Sequence, residues 1–207
     1  MKVINLSEHS TPWNKGKLVG QKAPLKPPQV WAIRVRLQLA DNKRDLALFN
    51  LAIDSKLRGC DLLRVRVSDL RMGSDIRTRA KIVQSKTGNP VQFEVTKCTR
   101  DAIDDWCCFK SLQSHDWLFP SRKDRSKHLT TRQYARLVDS WIASIDLPRS
   151  SYATHSMRRT KATLIYRKTG NLRAVQLLLG HTKIDSTVRY LGVEVEDALT
   201  LAESIEL

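Results

Sequence analysis

The sequence predicts an α+β fold, mainly helical, with about seven or eight helices around a small antiparallel β-hairpin. Three observations carry this. Apolar residues recur at helical spacing through most of the chain. The segment "VQFEVT" (91–96) alternates strictly and puts Val91, Phe93 and Val95 on one face. A turn cluster, "SKTGNP" (85–90), separates that segment from the β-branched "RAKIVQ" (79–84), so the two read as a hairpin with Lys86 at its turn.

Residues 11–29 carry Pro12, Gly16, Gly20, Pro24, Pro27 and Pro28, which mark residues 1–29 as an extended arm. Pro28 suits the first turn of a helix, and "QVWAIRVRLQLA" (29–40) and "KRDLALFNLAIDS" (43–55) follow with helical apolar spacing. "LRGCDLLRVRVSDL" (57–70) starts as a further helix and turns β-like near Val65–Val67. After the hairpin, helices are expected at 97–111, 130–145, 155–168, 171–179 and 184–191, with a terminal one at 194–205. Thr130 and Asn171 fit N-caps, because their side-chain oxygens can accept from orphan backbone N–H groups. Gly170 and Gly180 fit C-terminal stops.

The chain has 207 residues and 41% hydrophobic content, enough for one fair-sized core and too apolar for disorder. No apolar run approaches the ~20 residues that span a bilayer. The start, "MKVINLSEHSTPWNKGK", does not read as a signal peptide. Cys60, Cys98, Cys107 and Cys108 lack CxxC or zinc-ligand rhythm and read as reduced cytosolic thiols. Lys and Arg number 36 against 21 acidic residues, a net +15, which favours a polyanionic partner, nucleic acid above all. The charge is uneven: residues 194–207 hold Glu194, Glu196, Asp197, Glu203 and Glu206 and no base.

Chemistry gathers around "LLLGHTKIDSTVRYLG" (177–192), where Tyr190 follows His181. A phenol has a pKa of about 10, so a nucleophilic tyrosine needs help. Attack on a phosphodiester needs cations for its oxygens, an acceptor for the phenol proton and an acid for the leaving oxygen. His155 and Arg158 share a helix face at i,i+3, and Arg159 at i+4 fits equally well. Arg58 sits at a helix start, where it can share an anion with backbone donors. Lys86 can reach over a phosphate from its turn and donate a proton. His181 lies just beyond a helix end, within reach of the same phosphate. Taken singly, each of these also fits an ordinary solvated basic surface.

Taken together and in order, they resemble the tyrosine recombinases, or phage-type integrases. "SKLRGCDLLRVRVSDL" is similar to the family's first arginine box, with Arg58 its arginine and Asp61 the acidic companion. "QSKTGNPVQFEV" resembles the hairpin that carries the family's lysine, here Lys86. "THSMRRTKATLIYRKTGNLRAVQLLLGHTKIDSTVRYLG" resembles the second box: His155-x-x-Arg158, Leu179-Gly180-His181, and Tyr190 nine residues on. By that match Arg158, rather than Arg159, is the second arginine.

The resemblance implies a tyrosine-recombinase catalytic fold over residues 30–193. It implies site-specific cleavage and rejoining of double-stranded DNA through a 3′-phosphotyrosine. The roles it implies are Tyr190 as nucleophile, Arg58 and Arg158 on the non-bridging oxygens, Lys86 as general acid, His155 as proton acceptor and His181 as phosphate contact. It implies no cofactor and no metal. It further implies a cytoplasmic, nucleoid-associated protein of bacterial or phage origin, working as a tetramer on two duplexes and as a monomer or dimer without DNA. Residues 194–207 would then be an acidic helical tail that docks either on a neighbouring protomer or back on its own domain. The competing readings are a type IB-like topoisomerase and a catalytically silent DNA-binding regulator.

Overall fold

The computed structural model describes residues 21–191 and Glu203. The first twenty residues of the arm and, Glu203 apart, the expected helical tail lie outside the described residues. Residues 21–26 run extended, and Leu25 among them is buried in the main core. Its N–H donates to Thr160 Oγ1 at 2.9 Å.

Helix α1 (Pro27–Leu39) opens on the two prolines, two residues earlier than the spacing predicted. The missing N–H of a proline costs nothing in a first turn. Helix α2 (Lys43–Ser55) matches its predicted bounds and is buried on nearly every side. It is the central helix, with α1, α5 (Lys97–Lys110) and α7 (Thr154–Thr169) packed around it. Phe49 meets Trp141 edge-to-face at 5.4 Å, and the indole N–H is satisfied by Asp45 Oδ2 at 3.1 Å. Burying a side chain of that size contributes about 1.5–3 kcal/mol.

The expected 57–70 helix divides. Helix α3 (Gly59–Leu62) and helix α4 (Val67–Leu70) are single turns, and Arg66 bridges to Trp117 between them. The β-like reading near Val65 is that bridge. A short pair, β1 (Arg71–Met72) and β2 (Asp75–Ile76), was not expected; two-residue strands show no alternation. The expected hairpin is β3 (Arg79–Val83) with β4 (Pro90–Glu94), in the register Arg79↔Glu94 to Val83↔Pro90. Val91, Phe93 and Val95 all face the interior.

Helix α6 (Thr131–Ser144) starts at Thr130, whose Oγ1 accepts from Gln133 N. A 3₁₀ turn (Arg149–Ser151) leads into α7. Helix α8 (Leu172–Leu179) starts at Asn171, which accepts from Ala174 N at 2.8 Å. Gly170 and Gly180 end α7 and α8 with φ of 63° and 66°. Gly180 is needed for space as well as backbone shape: a Cβ there would lie 2.4 Å from Val91 Cγ2. Helix α9 (Ile184–Leu191) closes the described fold.

The apolar interior has two parts. The main core runs from Leu25 to Met157. A smaller cluster of Ala162, Val175, Leu179 and Leu191, with Tyr190 packed against it, joins α7, α8 and α9.

Candidate active site

Three elements meet at a buried ionic cluster, and that meeting sets the site. Lys161 Nζ on α7 reaches Asp54 Oδ1 of α2 at 2.6 Å and Glu94 Oε1 of β4 at 2.7 Å. Lys56 Nζ reaches Glu94 at 2.9 Å and the Asp54 carbonyl at 2.5 Å. The other Asp54 oxygen accepts from Thr96 N, Thr96 Oγ1 and Thr99 Oγ1. Burial would raise the Asp54 carboxyl, but Lys161 and the two threonines hold it below the usual carboxylate range. Burial likewise works against Glu94, and Lys56 and Lys161 hold it low. The cluster clamps the end of α2 to the hairpin and to α7.

The sequence-predicted residues project from just beside this clamp. Arg58 is the N-cap of α3, two residues past Lys56. Its Nη1 donates to Gln84 Oε1 at 2.7 Å. Arg158, one helical turn before Lys161, is 2% exposed, and its Nη2 donates to the Leu179 carbonyl at 2.8 Å. His181 follows Gly180, and its Nδ1 lies 3.1 Å from Thr187 Oγ1. Tyr190 stands edge-on to the His181 ring at 5.5 Å. The Arg158 guanidinium carbon is 5.7 Å from the centre of the Tyr190 ring, and that of Arg159 is 5.5 Å from it.

Five of the six thus converge: Arg58, His155, Arg158, His181 and Tyr190. Lys86 is exposed on the β3–β4 turn. Two bonds tie that turn to α3: Ser85 N donates to Asp61 Oδ1 at 2.8 Å, and Gln84 accepts from Arg58. No hydrogen bond of Lys86 itself occurs among the described residues. Asp61, expected as the companion of Arg58, instead holds the residue next to Lys86.

The electrostatics concentrate positive charge around a buried phenol oxygen. Arg158 Nε and Nη1 are buried without a hydrogen-bond partner, as are Arg159 Nε and the Tyr190 hydroxyl. Burial pushes the Tyr190 phenol up to about 12, while the Arg158 and Arg159 guanidiniums act against that rise. Enclosure lowers His181 to about 4, with Arg158 and Arg58 adding to the effect. His155, at the exposed rim, is lowered by partial enclosure and then by Arg158, Arg58 and Arg159. A cleft of about 400 Å³ opens here, lined by Lys22, His155, Arg159, Arg189 and Tyr190 among others. Gln21 of the extended segment donates to the Arg189 carbonyl, next to the tyrosine.

Sequence reasoning missed Gln84 and the ionic cluster. It held Arg159 only as a substitute for Arg158, whereas both lie against Tyr190. No three His, Cys, Asp or Glu side chains among the described residues gather as a metal site. No helix among them is long and apolar enough to cross a membrane.

This fold is shared with solved recombinases. It matches the crystal structure of XerA recombinase with a TM-score of 0.72 at 16% identity, over 89% of this chain and 65% of that one. It matches XerH recombinase bound to difH substrate in a pre-cleavage complex with a TM-score of 0.70 at 19% identity, over 88% and 54%. The architecture is therefore that of a tyrosine-recombinase catalytic domain.

The chain belongs to the phage integrase family, whose model matches residues 28–196. It is 27% identical over 167 residues to YoeC of Bacillus subtilis (strain 168), covering 81% of this chain and 87% of that protein. It is 28% identical over 158 residues to the tyrosine recombinase XerC of Erythrobacter litoralis (strain HTCC2594), covering 76% and 49%. The chain thus spans most of YoeC and about half the length of XerC.

Proposed function

We propose that this chain cleaves and rejoins double-stranded DNA at a specific site, with Tyr190 as nucleophile. The observation that carries the reading is a buried Arg158 with two unpartnered nitrogens beside a buried, unpartnered Tyr190 hydroxyl. A buried cation with free N–H groups is costly unless an anion completes it. A scissile phosphate supplies that anion, and the net +15 of the chain suits its polyanionic carrier.

In the reaction the Tyr190 oxygen forms a bond to phosphorus and the P–O5′ bond breaks. The phenol proton passes to His155, whose partial enclosure and arginine neighbours lower its pKa and favour the neutral imidazole. Lys86, carried in as the hairpin turn meets the DNA, gives a proton to the 5′ oxygen. Arg58 and Arg158 take the non-bridging oxygens and offset the charge of the transition state. His181 donates a hydrogen bond to one of the same oxygens. Rejoining reverses these steps with a 5′ hydroxyl as attacker, so the bond energy is kept in the protein–DNA link. The finer organisation that goes with this is a tetramer on two duplexes, with residues 194–207 contacting a neighbour.

The test is covalent capture from a pool of nicked duplexes with randomised sequence. Wild type is expected to retain a DNA adduct after denaturation, and Tyr190→Phe none. An adduct that survives Tyr190→Phe, or no adduct from any duplex, would sink the reading. The basic arm is a separate expectation. Removing residues 1–20 takes away Lys2, Lys15 and Lys17 but spares Leu25 in the core. DNA affinity should fall, and the salt slope should drop by about 0.9 per lost phosphate contact. An unchanged slope would show that the arm leaves DNA alone.

A further inference from the structure

We infer that Gln84 is a positioning residue that aims the Arg58 guanidinium at the phosphate and locks it to the chain segment that bears His181. The inference rests on the strand-cleavage reading above and adds to it a residue outside the six. Gln84 is 1% exposed. Its Oε1 accepts from Arg58 Nη1 at 2.7 Å and from Thr87 Oγ1 at 3.0 Å. Its Nε2 donates to the Leu179 carbonyl at 3.1 Å, and the same carbonyl accepts from Arg158 Nη2. The amide orientation is forced, since a guanidinium can only donate and a carbonyl can only accept.

The backbone of Gln84 is equally committed. Its N–H donates to the Asn89 carbonyl and its carbonyl accepts from Gly88 N, both at 2.9 Å. Those two bonds close the turn that carries Lys86. One residue therefore touches Arg58, shares an acceptor with Arg158 and frames the lysine turn. Gly180 completes the fit, because a Cβ there would also press on the Gln84 amide at 3.1 Å. An arginine free to rotate spreads its charge over many orientations; one bonded at Nη1 offers its remaining N–H groups in a fixed direction. Burying an amide this fully is costly unless its polar atoms are bonded, and both of them are: Oε1 accepts twice and Nε2 donates once.

The readout is chosen to separate positioning of a charge from general support of the fold. A methylphosphonate at the scissile position replaces one charged non-bridging oxygen with a neutral methyl group. Its transition state carries one negative charge less, so a well-aimed guanidinium matters less. Single-turnover cleavage is measured with full-length protein on the duplex that wild type captures, as phosphodiester and as methylphosphonate. Gln84→Met, which keeps the volume, is expected to lose about 10–100-fold on the phosphodiester, the usual scale for a misplaced catalytic group. On the methylphosphonate the loss should shrink several-fold. Gln84→Glu, which keeps both volume and acceptor, is the second variant if Gln84→Met folds poorly. Its carboxylate claims Arg58 for itself, so the same substrate dependence is expected. Equal losses on both substrates, or no loss on the phosphodiester, would overturn the inference while leaving wild-type cleavage intact. Failure of wild type itself to cleave overturns the functional reading and the inference with it.

Discussion

The ionic cluster and the candidate active site hold buried charge in opposite ways. They lie one turn apart on α7, at Lys161 and Arg158. In the cluster, every charge has a partner of opposite sign: Asp54 with Lys161, and Glu94 with both lysines. In the pocket, Arg158 and Arg159 have buried nitrogens with no partner, and Tyr190 has a buried hydroxyl with none. Burial costs both groups solvation. The first recovers it within the fold, and the second leaves it to be recovered from a ligand.

The largest expected effect tests the open side. Arg158→Met should reduce adduct formation by about 100–1,000-fold, the range for one lost transition-state donor. Its stability to urea should stay within about 1 kcal/mol of the parent or rise, because two unsatisfied buried nitrogens disappear. A large loss of stability would mean that the pocket is as structural as the cluster.

The closed side should behave in reverse. Asp54→Ala leaves Lys161 with Glu94 alone and takes the acceptor from Thr96 N, Thr96 Oγ1 and Thr99 Oγ1, so the urea-derived stability should fall by about 1–3 kcal/mol. A loss below about 1 kcal/mol would show that the network contributes little. Lys56→Gly is a finer probe. Lys56 is buried and sits at φ 54°, a left-handed position that suits glycine. Relief of about 1 kcal/mol opposes the loss of the Glu94 contact, so a net fall of about 1–2 kcal/mol is expected. A net gain would mean that backbone strain outweighs the ion pair.

The smallest effect is on acid stability. The folded-state pKa of His181 lies near 4, below its ordinary 6.5. Below pH 6.5 the unfolded chain therefore binds a proton that the folded one refuses, and stability falls until the pH reaches about 4. His155 acts in the same direction. The lowered Asp54 and Glu94 add their losses only in the carboxylate range below. Thermal midpoints measured across this window should show the decline, and His181→Gln should flatten its upper part. An equally steep decline in the variant would assign it to other groups.

Much of this was legible in the chain. The bounds of α2, the caps Thr130 and Asn171 and the stops Gly170 and Gly180 rest on local chemistry, which spacing records faithfully. The order of the site residues is equally local, because all but Arg158 sit at or beside a helix end or on a turn. What spacing could not record is long-range. Gln84 meets Arg58 across 26 positions and Leu179 across 95. A glutamine entering a turn reads as solvated until those partners are placed around it. Arg158 and Arg159 could not be ranked by spacing, since i+3 and i+4 share one face, and both in fact reach Tyr190. The division of 57–70 into two single turns follows from a bridge to Trp117 that no local pattern encodes.

The small cluster beneath α9 has a consequence for populations. Tyr190 and Leu191 are the large side chains that hold this helix against α7 and α8. Two such groups contribute about 3–6 kcal/mol, and a buried hydroxyl without a partner takes back about 1–3 of it. The remainder, a few kcal/mol, leaves a displaced helix at roughly 0.1–10% of molecules. If Tyr190 is the nucleophile proposed above, most molecules would hold it seated without DNA and a few would release it, and a phosphate that partners the hydroxyl and the arginines would shift that balance toward the seat.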